Sequence, residues 1–310
     1  MLQSTRWFFS VLMALAALAL ASCAKPPPPP VKQPRFDQER AFQRLRELCD
    51  FGPRNYGSEG KAKAEEWIQK TLLDAGAEVS LHSFEHTPTG AASPERFRNI
   101  VARINPSHPR RVLIATHYDT RSTADRDPDE TRRNEPIIGA NDGGSGVAVL
   151  LEMATLWQSE PPSIGVDLIF FDGEDFGSGQ QWHDYFLGSR AWVRDFPDYR
   201  PEWGVVLDMV GDADLGIRQE RDSSNRARAV VDRLWSAAAR VKAEHLVAEV
   251  GGLVHDDHTA FLDKGVPVVL LIDFRYQWFH TTKDTLDKCS PASLGEVGRT
   301  VMEAVAATGG

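Results

Sequence analysis

Val166 to Phe176 reads VDLIFFDGEDF. A run of strand formers, Ile169, Phe170 and Phe171, leads directly into three acids, Asp172, Glu174 and Asp175. An unbroken apolar run, without polar alternation, suits a strand buried on both faces, as in a parallel sheet covered by helices. In such sheets the chemistry collects beyond the carboxyl ends of the strands. Glu174 and Asp175 leave the strand at that place, where adjacent acids can divide the work, one holding a metal and the other moving a proton. A polar loop after a core strand would look the same in isolation, so the flanking sequence has to arbitrate.

Upstream, Phe36 to Cys49 spaces Phe42, Leu45 and Leu48 as one helix face, and Lys61 to Ala75, preceded by Ser58, does the same with Trp67, Ile68, Leu72 and Leu73. Strands are expected over Ala77 to Phe84, Phe97 to Ile104 and Arg111 to Ala115, the last running into Thr116-His117-Tyr118-Asp119. Thr120 to Pro136 is strongly polar and reads as an excursion over the surface. The glycine-rich turn Gly139 to Gly146 then opens a buried helix, Val147 to Trp157. Downstream, helix is expected from Gly188 and over Ala227 to Leu246, and a short one starts at His255-Asp256-Asp257-His258. Strands are expected over Trp203 to Met209 and Val266 to Ile272, and Leu294 to Ala306 closes the chain as a helix. Strands alternating with helices imply an α/β fold, a three-layer αβα sandwich with a mostly parallel, mixed central sheet.

The first residues place Arg6 before an apolar run, Trp7 to Ala21, that is short for a membrane span and ends in Leu20-Ala21-Ser22-Cys23. Residues 1–22 read as a signal peptide. Residues 23–35, with prolines 26 to 30, read as an extended tether, and residues 36–310 as one catalytic domain. Losing the signal removes Arg6 and moves the formal charge from −9 to about −10, which argues against nucleic acid as a partner. The remaining Cys49 and Cys289 could pair in an exported protein, though sequence alone does not bring them together.

Four strand ends deliver acids or histidines: His117 with Asp119, Glu174 with Asp175, Asp208, and His280. Asp142 comes from the glycine-rich turn. Imidazole nitrogen and carboxylate oxygen form the ligand set of catalytic zinc. Glycines 143, 144 and 146 let the backbone pack closely around Asp142. The turn lacks the Gly-Lys-Ser/Thr of a phosphate-binding loop. Ser145 and Ser189 lack the elbow of serine hydrolases.

His117-Tyr118-Asp119, the Asp142 turn, Asp172-Gly173-Glu174-Asp175, Leu207-Asp208-Met209 and His280-Thr281-Thr282-Lys283-Asp284 resemble the zinc aminopeptidase clan. Pro53 to Ser58, Arg98 to Val101, Trp182 with Gly188 to Arg190, and Asp256-Asp257-His258 running into Gly265-Val266-Pro267 add a resemblance to its zinc glutaminyl cyclases. The likeness spans roughly Phe51 to Leu294. It implies Asp142, Asp175 and His280 as ligands of one zinc, Glu174 as general base and acid, and Asp208 and Asp257 as carboxylates that position substrate. His117 and Asp208 match ligands of a second zinc in two-metal aminopeptidases. This chain departs from the animal cyclases at Asp175, where they carry Glu, and at Phe279, where they carry Trp; Trp182, Trp278 and Phe279 are the expected aromatic wall. The Leu-Ala-Ser-Cys ending resembles a bacterial lipobox, implying lipidation of Cys23 and a place in the cell envelope, periplasmic or on the outer membrane.

The implied activity is closure of an N-terminal glutamine of peptides or proteins to pyroglutamate, with loss of ammonia, by a monomer carrying one zinc. The alternatives are an aminopeptidase with one or two zinc ions, in which water attacks the first peptide bond, and a non-catalytic peptide-binding protein of the same fold. Against the last, Asp142, Glu174, Asp175 and His280 are all intact.

Overall fold

The computed structural model describes residues 36–179 and 181–309. The stretches read from the sequence as a signal peptide and a proline-rich tether, and Cys23 between them, lie outside the described residues. Among the described residues no helix is long and apolar enough to cross a membrane.

Helices and strands follow in the order α1 (Gln38–Asp50), α2 (Glu59–Asp74), β1 (Glu78–His86), β2 (Glu95–Ile104), β3 (Arg111–His117), α3 (Gly144–Ser159) and β4 (Gly165–Phe171). Then come α4 (Leu187–Asp195), β5 (Gly204–Asp208), β6 (Ile217–Gln219), α5 (Arg221–Arg226), α6 (Arg228–Val241), β7 (Leu246–Val250), α7 (Asp257–Leu262), β8 (Val268–Ile272) and α8 (Pro291–Ala306). The starts carry the expected chemistry. Asp37, Ser58 and Ser290 cap α1, α2 and α8 through side-chain oxygens, and Pro291 opens α8, where its missing N–H costs nothing.

Six strands form the central sheet in the order β1-β2-β4-β3-β5-β8. β1, β2 and β4 pair antiparallel, whereas β4, β3, β5 and β8 run parallel. The four parallel strands are buried almost throughout, as their apolar runs require. Alternate residues serve two cores. Ile114, Leu168, Phe170 and Leu207 pack against the layer of α1, α3 and α8, while Ala115, Ile169, Phe171 and Val206 pack against Trp192 of α4 and Phe261 of α7. Each fully buried Val, Leu, Ile or Phe among them contributes about 1.5–3 kcal/mol. The chain steps from β3 to β4 on one side and then back past β3 to β5, so the parallel part of the sheet has its switch in direction there. A crevice opens at such a switch, beyond the strand ends.

Three expectations need correction, and one question that the sequence left open is answered. The helix read over Ala227 to Leu246 ends at Lys242, which takes a left-handed conformation (φ 59°), and Leu246 starts β7, paired with β6 in a small second sheet. Leu73 is 59% exposed and stands outside the apolar stripe of α2. Thr120 to Pro136 is no simple surface excursion, because Arg121, Ala124 and Asp127 are buried. The pairing of Cys49 with Cys289, left open by the sequence, is not made: both are free thiols, Cys289 buried in the first core and Cys49 half-buried against it.

Candidate active site

The carboxyl ends of the parallel strands converge. His117 ends β3, Glu174 and Asp175 follow β4, Asp208 ends β5, and the segment after β8 returns His280. Asp142, in the turn before α3, stands between two groups of donors. His117, Asp142 and Asp208 offer atoms within 4.8 Å of one another, and so do Asp142, Asp175 and His280. His117 Nε2 lies 3.3 Å from Asp142 Oδ1 and 3.2 Å from Asp208 Oδ1. His280 Nε2 lies 3.5 Å from Asp142 Oδ2 and 3.4 Å from Asp175 Oδ1. Asp142 Oδ2 and Asp175 Oδ2 are buried and accept no hydrogen bond among the described residues. Buried carboxylate oxygens left unpartnered beside imidazole nitrogens fit a zinc ion in both chemistry and number of donors.

The backbone is shaped to hold these groups. Gly143 has φ 74°, and a Cβ there would come within 2.8 Å of the His117 ring; at Gly146 it would strike Thr116 Oγ1 at 2.1 Å. Only glycine lets the turn approach β3 this closely. Asp284 accepts the N–H groups of Asn141 and Asp142 at 2.9 and 3.1 Å, and Asn141 Oδ1 accepts Gly211 N–H at 2.7 Å. Asp119 accepts Glu174 N–H at 3.2 Å and Asp175 N–H at 3.1 Å. His280 (φ 56°) and Met209 (φ 46°) are left-handed without being glycine, a strain that concentrates where side chains must be aimed.

Electrostatics separate the two neighbouring acids. Burial pushes the Glu174 carboxyl well above the usual range, and the charges of Asp175, Asp256 and Asp257 add to that against the pull of His117. Burial acts on Asp175 in the same direction, but the His280 and Arg121 cations outweigh it and hold Asp175 below the usual range. Arg121 Nη1 donates to Asp175 Oδ1 at 2.8 Å. One acid is thereby kept as a fixed anion and the other suited to carrying a proton. Both face a cavity of about 350 Å³, which also exposes Asp142, Asp208 and the aromatic side chains Trp182 and Phe279.

A model of peptidase family M28 matches residues 99–305. The chain belongs to that family. A glutaminyl-peptide cyclotransferase-like protein of Mus musculus is 29% identical over 279 residues, covering 78% of this chain and 69% of the relative. The crystal structure of Tannerella forsythia glutaminyl cyclase superposes with a TM-score of 0.83 at 31% identity, covering 87% of this chain and 98% of that one. A Zn-dependent exopeptidase from Parabacteroides distasonis gives a TM-score of 0.83 at 30% identity, with the same 87% and 98% coverage. The likeness places this M28 chain with the glutaminyl cyclases of the zinc aminopeptidase-like clan.

Within the M28 site, the side chains expected from the sequence are largely gathered. Asp142, Asp175, His280, His117, Asp208 and Glu174 meet as described. Phe279 lines the cavity, with its ring 3.6 Å from that of His280, and Trp182 stands at the mouth, 63% exposed. Trp278 does not join the wall. It packs on the second core, with Lys283 and Lys288 over its ring at 5.1 and 5.2 Å. Asp257 is fully buried behind the cavity, and it is Asp256 that reaches the lining. Burial raises Asp257 to about 7. The sequence reading missed Arg121, Asp125 (3.4 Å from His280 Nδ1) and Tyr185, which accepts from Arg121 at 2.7 Å. Arg121 and Asp125 sit in a charged run that looks solvated, and no spacing in it signals burial.

Proposed function

We propose that this M28 protein cyclises the N-terminal glutamine of peptides and proteins to pyroglutamate and releases ammonia. The observation that carries the reading is Glu174, a buried carboxyl of raised proton affinity that opens onto the cavity beside Asp142, Asp175 and His280. In the reaction the substrate's α-amine nitrogen bonds to its own side-chain carbonyl carbon, and the carbon–nitrogen bond of that carboxamide breaks. Glu174 accepts one proton from the amine and returns it to the departing nitrogen, so that ammonia leaves and the carboxylate is restored. Asp142, Asp175 and His280 are the residues that would hold one zinc, and the chemistry a bound zinc supplies is polarisation of the carbonyl. Asp208 and Asp256 accept hydrogen bonds from the amine and hold it over the carbonyl, with the Asp257 N–H donating to Asp256 Oδ1. Trp182 and Phe279 confine the folded side chain and exclude water. Because the attack is intramolecular, orientation is the main task, and it can be worth up to about 7–11 kcal/mol.

Hydrolysis of the first peptide bond is the second reading, favoured by the additional donor set His117, Asp142 and Asp208. The Leu-Ala-Ser-Cys23 run supports attachment to a membrane of the cell envelope through a lipid on Cys23, with the proline tether as spacer. The test supplies the zinc-loaded protein with a glutamine-initiated dipeptide, followed for ammonia, and separately with leucine amide, followed for free leucine. Ammonia from the first alone, lowered by a chelator and reduced roughly 10²–10⁴-fold in Glu174→Gln with zinc content unchanged, is the expected result. Free leucine would move the assignment to hydrolysis.

A further inference from the structure

A second group of metal-binding side chains lies outside the catalytic cavity. His86 ends the edge strand β1, and His183 and Asp184 belong to a helical turn, Trp182–Asp184. Each of the three offers a ligand atom within 4.8 Å of the others. His86 Nε2 stands 2.6 Å from Asp184 Oδ1, and the two imidazole rings lie beside one another, tilted by 44° with centroids 4.7 Å apart. The carboxylate is already aimed. Asp184 is 3% exposed, and Thr89 N–H donates to both of its oxygens, at 3.2 and 3.0 Å. Two carboxylate oxygens offer about four lone-pair directions, so acceptor capacity remains after these bonds and that of His86. His183 is exposed and leaves room for water to complete a coordination shell.

We infer that His86, His183 and Asp184 bind a borderline divalent ion, zinc or copper, at a second site that clamps the cavity wall to the edge of the sheet. Two imidazole nitrogens with one carboxylate oxygen suit those ions, whereas calcium and magnesium require shells built mostly of oxygen. The His86–Asp184 hydrogen bond fastens the turn by itself, but it gives no role to the His183 ring set against His86. A shared ion uses all three. The turn matters to the cavity because Trp182 and Tyr185, on either side of the two ligands, line it, and Tyr185 is bonded to Arg121, the partner of Asp175. Fixing the turn would therefore fix the substrate wall. Binding at this site does not depend on the reaction proposed above; only a lowered KM on metal addition rests on that reading.

The zinc-loaded full chain is titrated with Cu²⁺ at neutral pH, by equilibrium dialysis for the number bound and by electron paramagnetic resonance for the nitrogen ligands. Wild type should take up one further equivalent with hyperfine structure from two imidazoles. His183→Ala should weaken that uptake beyond the roughly 10–100-fold that loss of even an outer-shell partner costs. His183 is exposed, so the variant keeps its fold, checked by its melting temperature; His86→Gln, tested alongside, should also lose the signal. Equal uptake and the same nitrogen count in wild type and His183→Ala would mean that copper sits in the catalytic centre, and would overturn the inference. So would wild type taking up no further equivalent.

Discussion

Asp119 does not line the cavity, yet its two oxygens accept the backbone N–H groups of Glu174 and Asp175 at 3.2 and 3.1 Å. The peptide that carries the proton shuttle and a metal ligand is thereby held by one carboxylate. Asp119→Asn would turn an acceptor into an NH₂ donor facing an N–H, leaving one of the two bonds unmade. The expected outcome is a roughly 10–100-fold loss of kcat, the scale on which outer-shell partners act, with KM changed little and the fold intact. Steady-state kinetics beside zinc analysis would check it; a fall in KM-type affinity alone, with kcat preserved, would contradict this positioning role. At this scale the sequence was most legible where a side chain ended an apolar strand, as at His117, Glu174 and Asp208. It was least legible after β8. Trp278 and Phe279 are neighbours in an irregular segment where His280 takes φ 56°, so no period tells which ring turns inward.

Elements meet through polar groups as much as through the core. Arg54 is fully buried between the end of α1 and the start of α2, and donates to the carbonyls of Tyr118, Ile138 and Gly139, each at 2.8 Å. It joins the end of β3 to the turn that carries Asp142. Arg54→Met would strip three carbonyls of their donor inside the protein, at about 1–3 kcal/mol for each group left unsatisfied. Partial relaxation should leave about 3 kcal/mol, or roughly 5–10 °C in melting temperature. Thermal unfolding would check it, and Arg54→Lys should recover only part, since an ammonium cannot span the three acceptors as the guanidinium does. A melting temperature unchanged in Arg54→Met would sink the idea. The parallel strands were readable as continuous apolar runs because both their faces are covered. β6 and β7 were not. β6 has three residues, and β7 (LVAEV) follows helix formers with no glycine or proline between, so the helical pattern runs on past its true end at Lys242.

For the molecule as a whole the two faces of the sheet are unequal. One carries five helices and the larger core; the other carries little more than α4 and α7, and is fastened by buried polar groups. Glu220 is the centre of that fastening. Its oxygens accept the N–H groups of Asp222, Ser223 and Val254 at 2.8, 2.6 and 3.1 Å, and His258 of α7 stands 3.4 Å away. Ser223 in turn accepts Leu270 N–H of β8 at 3.1 Å, so the capped end of α5 is tied to the sheet. Burial would raise the Glu220 carboxyl, but the His258 contact and the donated N–H groups prevail and lower it from 4.5 to about 2. The folded state therefore holds this proton less tightly than the unfolded chain does. The resulting stability is fully present above pH 4.5 and is lost as pH falls toward about 2, and the difference amounts to about 3 kcal/mol. Acid also discharges the other carboxylates, against 35 Lys and Arg and 9 His, so wild type alone cannot isolate this contribution. Glu220→Gln can. Relative to wild type it should be at least about 3 kcal/mol less stable at neutral pH, and the gap should narrow as the pH approaches 2 to what remains from the amide NH₂ facing an N–H. Denaturant unfolding across that range measures the gap directly, and a gap that stays constant with pH would mean that Glu220 acts by packing rather than as a charged clasp.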